Sequence, residues 1–130
     1  MSQPSLLLID DEPALAGFVA HVGRSCGYSV IFTTSAAVFR REFDTSEPAV
    51  ITIDLGMPGG DGIELLRFLA ERGCSSPIII ISGFDRRMLA AAFSLGEELG
   101  LQMVGPLSKP VHLHELREIL TRLNPQSRAP

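Results

Sequence analysis

Five polar residues lie at the ends of short apolar runs, and their types together suit phosphoryl chemistry. They are Asp10, Asp11, Asp54, Ser82 and Lys109. Carboxylates held close together repel one another, and a hard cation that prefers oxygen ligands, such as Mg²⁺, relieves that repulsion. An aspartate oxygen can attack phosphorus, while a hydroxyl and an ammonium can donate to the remaining phosphoryl oxygens.

Each of these residues also has a simpler explanation when it is taken alone. The acidic run at positions 10–12 would be favoured at the N-terminus of a helix. Lys109 could form a salt bridge with a nearby carboxylate, and Ser82 could lie in a turn at a strand end. The combination at several strand ends favours a shared site over these separate explanations.

The apolar runs predict the strands that must position these residues. They are Ser5 to Ile9, Tyr28 to Thr33, Ala49 to Ile53, Pro77 to Ile81 and, more weakly, Leu101 to Leu107. Several are apolar at successive positions, which is typical of strands covered on both faces of a parallel sheet.

Segments with helical spacing separate the runs. The first predicted helix begins at Pro13 and ends before Gly27. The next three cover Ser35 to Phe43, Asp61 or Gly62 to Arg72, and Asp85 to Leu99. A last helix follows Lys109-Pro110 and carries Leu113, Leu116, Ile119, Leu120 and Leu123 at three- and four-residue spacings. Five alternations of strand and helix predict an α/β fold, a doubly wound five-stranded parallel sheet with five helices. Ligands of such sheets bind at the carboxyl ends of the strands.

Four stretches, LLLIDDEP, ITIDLGMPGGDG, IIIISGF and LSKP, occur in this order between Leu6 and about Leu123. Together they resemble the receiver domain of two-component response regulators, which has a flavodoxin-like fold. The resemblance implies that Asp54 is the phosphoacceptor, with Ser82 as the switch hydroxyl and Lys109 as the family's lysine. It implies a Mg²⁺ site made by Asp10, Asp11, Asp54 and the backbone carbonyl of Gly56.

Two features depart from the family pattern. Pro106 occupies the position, three before the lysine, at which receivers commonly have an aromatic switch residue, although Phe84 could modulate access to the site. The interval from Ser82 to Lys109 is also longer than in many receivers, which predicts a lengthened fourth helix or following loop with turns at Gly96, Gly100 or Gly105. The longer pattern LGLQMVGPLSKP resembles, more weakly, receivers fused to EAL-type cyclic-dinucleotide phosphodiesterases.

The resemblance implies a phosphorylation-dependent switch. A sensor histidine kinase or phosphotransfer protein would phosphorylate Asp54, and the surface of helix 4, strand 5 and helix 5 would change. The partners would be a downstream effector or an output domain outside this chain, with a possible homodimer on phosphorylation. The chemistry of the domain would be self-catalysed phosphoryl transfer and autodephosphorylation, so the domain would not be a conventional enzyme.

A phosphatase is a competing hypothesis, but phosphatases of the haloacid dehalogenase group have a second aspartate where this chain has Gly56. A pseudo-receiver that binds partners without phosphate remains the alternative.

Length and composition suit one domain. The 130 residues, 45% of them hydrophobic, predict a domain at 1–123 followed by a tail or truncated linker at 124–130. The net charge of −4 argues against direct nucleic-acid binding. No apolar run approaches the roughly 20 residues of a membrane-spanning helix, and the N-terminus does not resemble a secretory signal. We therefore expect a cytoplasmic protein with no membrane contact. The two cysteines show no metal-ligand spacing, so we expect them to be free thiols.

Overall fold

The computed structural model describes residues 3–57, 61–83 and 86–128. In these residues strands and helices alternate. The strands are β1 (Ser5–Ile9), β2 (Ser29–Thr33), β3 (Val50–Asp54), β4 (Ile78–Ser82) and β5 (Met103–Ser108). The helices are α1 (Pro13–Ser25), α2 (Ala36–Ser46), α3 (Asp61–Glu71), α4 (Arg86–Glu98) and α5 (Leu113–Leu123), followed by a 3₁₀ turn at Pro125–Arg128. None of the described helices has the length and apolar composition needed to cross a membrane.

All five strands pair in parallel in the order β2-β1-β3-β4-β5. The order reverses direction after β1, as in a doubly wound sheet. The predicted α/β architecture with five parallel strands and five helices is therefore confirmed.

The sheet separates two hydrophobic clusters. Leu6 and Leu8 of β1 pack with α1 and α5 on one face, whereas Leu7 and Ile9 pack with α2, α3 and α4 on the other. All four side chains are fully buried. Burial on both faces explains why the central strands are apolar at successive positions instead of alternating.

The second helix is longer than the sequence predicts. It begins after Ser35, whose Oγ accepts a hydrogen bond from the Val38 N–H (3.2 Å), and continues to Ser46 instead of ending at Phe43. The polar residues after Phe43 lie within the helix, and the hydroxyls of Thr45 and Ser46 donate to carbonyls of the preceding turn.

The long interval between Ser82 and Lys109 is taken up partly by a bulge in β5. Ile79 pairs with Val104 and Ile81 with Leu107, so that β5 has one more residue than β4 between these pairs. The additional length lies at Gly105, which has a φ of +95°, and at the exposed Pro106. An edge strand tolerates proline at a bulge because no ladder hydrogen bond is lost there.

The segment expected to be a tail begins in contact with the domain. Asn124 is buried, and its Nδ2 donates to the Cys26 carbonyl oxygen (2.8 Å). Its Oδ1 accepts from the N–H of Gln126 (2.8 Å), which lies in the 3₁₀ turn. Whether the following residues form a tail or a linker stays a prediction.

Candidate functional site

The predicted site residues meet at the carboxyl edge of the sheet. Asp10 directly follows β1, Asp54 ends β3, Ser82 ends β4 and Lys109 directly follows β5. These positions lie at the same edge because all the strands are parallel. The sequence predicted the strand ends to within one residue, and these ends alone place the four polar groups at the same edge.

Three carboxylates form the acidic part of the site. One oxygen from each of Asp10, Asp11 and Asp54 lies within 4.8 Å of the other two. Asp10 and Asp54 are buried, whereas Asp11 is exposed. The cluster therefore has two fixed buried acids and one that is open to solvent.

Backbone N–H groups orient the two buried acids. Asp10 Oδ1 accepts a hydrogen bond from the Glu12 N–H (2.8 Å), and Asp54 Oδ1 accepts one from the Gly56 N–H (2.9 Å). In both cases the donor is two residues further along the chain, so a local turn holds each carboxylate. The second oxygen of Asp54 faces Lys109 Nζ at 3.5 Å.

Asp10 has the features of a cation ligand. Burial raises its pKa from the ordinary value of 3.8 to about 7, and the charge of Asp54 adds to this rise, although the Glu12 N–H opposes it. Asp10 Oδ2 is buried and has no hydrogen-bond partner among the described residues. A buried carboxylate oxygen without a donor is costly unless a proton or a cation binds it. The all-oxygen donor set fits a hard divalent ion.

Lys109 supplies the positive charge at the site. Its Nζ lies 3.1 Å from Glu12 Oε2 and 3.5 Å from Asp54 Oδ2. Partial burial lowers the pKa of the Lys109 ammonium, but the Glu12 hydrogen bond and the nearby Asp54 and Asp10 charges outweigh it, so that the pKa lies above its ordinary value. Lys109 therefore stays charged and partly neutralises the acids.

The backbone and Gly83 place the lysine. The Lys109 N–H donates to the Ser82 carbonyl oxygen (3.0 Å), which ties the start of the β5–α5 loop to the end of β4. A Cβ at Gly83 would lie 3.0 Å from the Lys109 Cδ and 3.3 Å from its Cβ. The absence of a side chain at position 83 therefore leaves room for the lysine stem.

An open cavity of about 410 Å³ lies above these groups and is lined by Asp11, Glu12, Pro13, Asp54, Gly56 and Lys109. Gly56 is half-buried in the cavity wall, whereas Ser82 is buried and is not among the lining residues. Phe84 and the loop residues 58–60 lie outside the described residues. The arrangement can bind a cation between the acids and can bring an anionic group close to both Asp54 and Lys109.

Sequence reasoning missed two contributors to this geometry. Glu12 was interpreted only as part of an acidic helix start, yet its backbone holds Asp10 and its side chain holds Lys109. Gly83 lies within the stretch IIIISGF, whose sequence does not indicate that this glycine leaves room for the lysine stem. The adjacency of each residue to a predicted site residue was a signal, but the contacts themselves depend on the tertiary structure.

The sequence and the fold of this chain match a known family. The family model for the response regulator receiver domain matches residues 6–121. The positive alginate biosynthesis regulatory protein of Pseudomonas aeruginosa is 29% identical over 127 residues, which cover 95% of this chain and 48% of that protein. The response regulator protein TodT of Pseudomonas putida is 31% identical over 128 residues, which cover 95% of this chain and 54% of that protein. The chain thus spans about half the length of these two relatives, and 18% of another, the C4-dicarboxylate transport regulator DctD of Pseudomonas aeruginosa.

A solved response regulator from Colwellia psychrerythraea superposes with a TM-score of 0.83 at 28% identity, covering 94% of this chain and 97% of that one. A receiver domain of a LuxO-type repressor from Vibrio parahaemolyticus has a TM-score of 0.78 at 19% identity and covers 94% of this chain and 93% of that one, which supports the fold alone. From the family match, these relatives and the fold, the chain belongs to the response regulator receiver domain family.

Proposed function

We propose that this domain is a phosphorylation-dependent switch in which Asp54 accepts a phosphoryl group from a sensor histidine kinase or a phosphotransfer protein. The observation that carries the proposal is the position of Asp54. Its carboxylate is buried at the carboxyl edge of the sheet, beside two further acids and 3.5 Å from the Lys109 ammonium.

In the transfer step, an Asp54 oxygen forms a bond to phosphorus while the bond from phosphorus to the donor's nitrogen breaks. The Gly56 N–H fixes the orientation of the carboxylate before the step. Lys109 then donates to one phosphoryl oxygen, and the Ser82 hydroxyl donates to another. The main catalytic effect would be stabilisation of the negative charge on the phosphoryl oxygens by these donors.

The residues that would hold Mg²⁺ are Asp10, Asp11 and Asp54, with the Gly56 carbonyl oxygen as a further ligand. A bound Mg²⁺ would neutralise charge on the transferring group. The unpartnered Asp10 Oδ2 and the spacing of the three carboxylates support this part of the proposal.

The output would be a conformation rather than a product. Phosphorylation would bias the surface formed by α4, β5 and α5 toward a second arrangement, recognised by a downstream effector, an output domain or a second copy of the chain. Pro106 replaces the aromatic of many receivers and is exposed in the β5 bulge, so we propose that coupling here depends on the bulge and the β5–α5 loop. The weaker likeness to receivers of EAL-type phosphodiesterases stays a prediction.

The first test is intact-mass spectrometry after incubation with acetyl phosphate. We expect one phosphoryl adduct with Mg²⁺, none in EDTA and none in Asp54→Ala. Asp44→Ala is a matched control, because Asp44 is an exposed acid paired with Arg72 outside the proposed site. It should be phosphorylated like the wild type.

Absence of an adduct on the folded wild type, with a donor that phosphorylates a known receiver, would contradict the proposal. It would favour the alternative, a pseudo-receiver that binds partners without phosphate. Beryllofluoride binding measured by NMR provides an independent check, because it reports occupancy of the site without requiring a transfer step.

A further inference from the structure

Glu12 occupies a helix-capping position without capping the helix. It is the N-cap residue of α1, and its side chain makes no hydrogen bond to the first turn. Instead its Oε2 accepts from Lys109 Nζ at 3.1 Å. The side chain of Glu12 therefore pairs with Lys109 at the rim of the acidic cavity instead of with the helix.

Only the ammonium group of Lys109 is free to exchange partners. The lysine stem occupies the space that a side chain at Gly83 would take, and the Lys109 backbone N–H donates to the Ser82 carbonyl oxygen. Its ammonium is shared between Glu12, whose side chain is 54% exposed, and Asp54, whose side chain is 2% exposed. The distance to Glu12 is the shorter of the two, so the ammonium is drawn outward from Asp54.

The ion pair also forms a wall between two cavities. Glu12 and Lys109 line the acidic cavity of about 410 Å³ and an adjoining apolar cavity of about 540 Å³ that includes Leu15, Phe18 and Val111. The carboxylate of Glu12 thus lies at the rim of the acidic cavity rather than among the buried acids.

We infer that Glu12 is a positioning residue that holds the Lys109 ammonium at the rim and competes for it with a phosphoryl group on Asp54. This inference rests on the proposed function. A phosphoryl group on Asp54 places new anionic oxygens on the inner side of the ammonium, and Lys109 must weaken its bond to Glu12 to donate to them. Glu12 therefore opposes phosphorylation by stabilising the unphosphorylated arrangement.

Two substitutions separate the ion pair from the general effect of a negative charge. Glu12→Gln removes the charge and the pair. Glu12→Asp keeps the charge, but its side chain is one methylene shorter, and aspartate at an N-cap favours bonding to the first helical turn instead. Glu118→Gln, which removes an exposed charge on α5, is the matched control.

The first measurement needs no phosphate. The side-chain ammonium resonance of Lys109, observed by ¹⁵N NMR in the protein without Mg²⁺, reports its hydrogen-bond partners. We expect it to shift in Glu12→Gln and in Glu12→Asp but not in Glu118→Gln. An unchanged resonance in both Glu12 variants would overturn the inference, whatever the outcome for Asp54.

The second measurement is the rate of adduct formation from acetyl phosphate at saturating Mg²⁺. Both Glu12 variants should react about two- to fivefold faster than the wild type, which corresponds to the strength of a solvent-exposed ion pair. If only Glu12→Gln is faster, the charge rather than the pair matters, and the inference is wrong. Equal rates in all variants also overturn it, whereas an unreactive wild type would contradict the proposed function instead.

Discussion

At the scale of single residues, the pKa of Asp10 links the stability of the domain to pH. The folded-state pKa is about 7, above the ordinary value of 3.8, because the carboxylate is buried beside Asp54. Between these two pH values the folded protein keeps a proton that the unfolded chain has released. The stabilising effect of that proton is complete below about pH 4 and is lost as the pH rises through 7.

We therefore predict that the free energy of unfolding in EDTA falls between pH 5 and pH 8. The rise in pKa corresponds to a loss on the order of 4 kcal/mol from below pH 4 to above pH 7, at about 1.4 kcal/mol per pH unit, and roughly 3 kcal/mol of it falls between pH 5 and pH 8. Urea unfolding followed by circular dichroism would measure it. Asp10→Asn retains an acceptor for the Glu12 N–H, and its stability should be much less dependent on pH.

The ionised form of Asp10 is also the form that would bind a cation. We predict that Mg²⁺ raises the melting temperature more at pH 8 than at pH 5.5, since protons compete with the ion at the lower pH. The same melting curves with Asp10→Asn should show a much smaller effect of Mg²⁺. A Mg²⁺ effect that is equal at both pH values would contradict the proposed ligand role of Asp10.

The identity of the charged residues at the site could be predicted from sequence, but their pairing could not. Asp10, Asp54 and Lys109 follow apolar runs, so strand ends alone place them at one edge. The bond between Glu12 and Lys109 joins positions separated by 97 residues. Such a contact depends on how closely α1 and the β5–α5 loop approach, which local patterns do not encode.

At the scale of elements, α1 carries two glycines in different surroundings. A Cβ at Gly17 would have nothing within 4 Å, whereas a Cβ at Gly23 would lie 2.8 Å from Leu6 Cδ2 and 3.2 Å from Val30 Cγ2. Leu6 is fully buried in the cluster beneath the helix. Gly23 therefore allows the helix to pack closely on β1 and β2.

This contrast predicts opposite effects of the same substitution. Gly17→Ala should stabilise the domain by about 0.5–1 kcal/mol, the gain in helix propensity. Gly23→Ala should destabilise it by about 1 kcal/mol, because overpacking of a filled core outweighs that gain. Urea unfolding of the two variants checks both signs, and stabilisation by both would show that the core beside Gly23 can relax.

The positions of all five strands and five helices were predicted correctly, with errors at the boundaries. The errors have physical causes in particular residues. Thr45 and Ser46 continue α2 with their hydroxyls bonded to its own carbonyls, although polar residues are typical of a helix end, and Gly105 with Pro106 forms a bulge that resembles a loop in sequence. The last predicted helical face was correct except for Leu113, which is 38% exposed at the start of α5.

At the scale of the whole molecule, Asn124 connects the end of α5 to the end of α1. Its amide donates to Cys26 and accepts from Gln126, each at 2.8 Å. Tyr28 adds a second tie, since its hydroxyl donates to the Leu120 carbonyl oxygen at 2.7 Å. The helices on this face of the sheet are thus joined at their ends by polar bonds as well as by apolar packing.

We predict that Asn124→Ala destabilises the domain by about 1–3 kcal/mol, because it leaves the partly buried Cys26 carbonyl and the Gln126 N–H without these partners. Hydrogen exchange of the amides at 126–128 should become faster by a similar free energy. Asn124→Asp keeps the acceptor for Gln126 and should have an intermediate effect. Unchanged exchange in Asn124→Ala would show that the 3₁₀ turn is held by other contacts.

The Asn124 connection lies at the edge of the sheet opposite Asp54. Since α5 runs back against the strands, its last residues are near the amino ends of β1 and β2, where Ser5 and Gln126 line the same surface cavity. A five-residue strand separates the two edges by about 17 Å. Chemistry at Asp54 therefore cannot touch the segment at 124–128 directly. Any coupling between them must occur through displacement of packed elements, and the rigidity of α5 and of its Asn124 hydrogen bonds sets the size of that displacement.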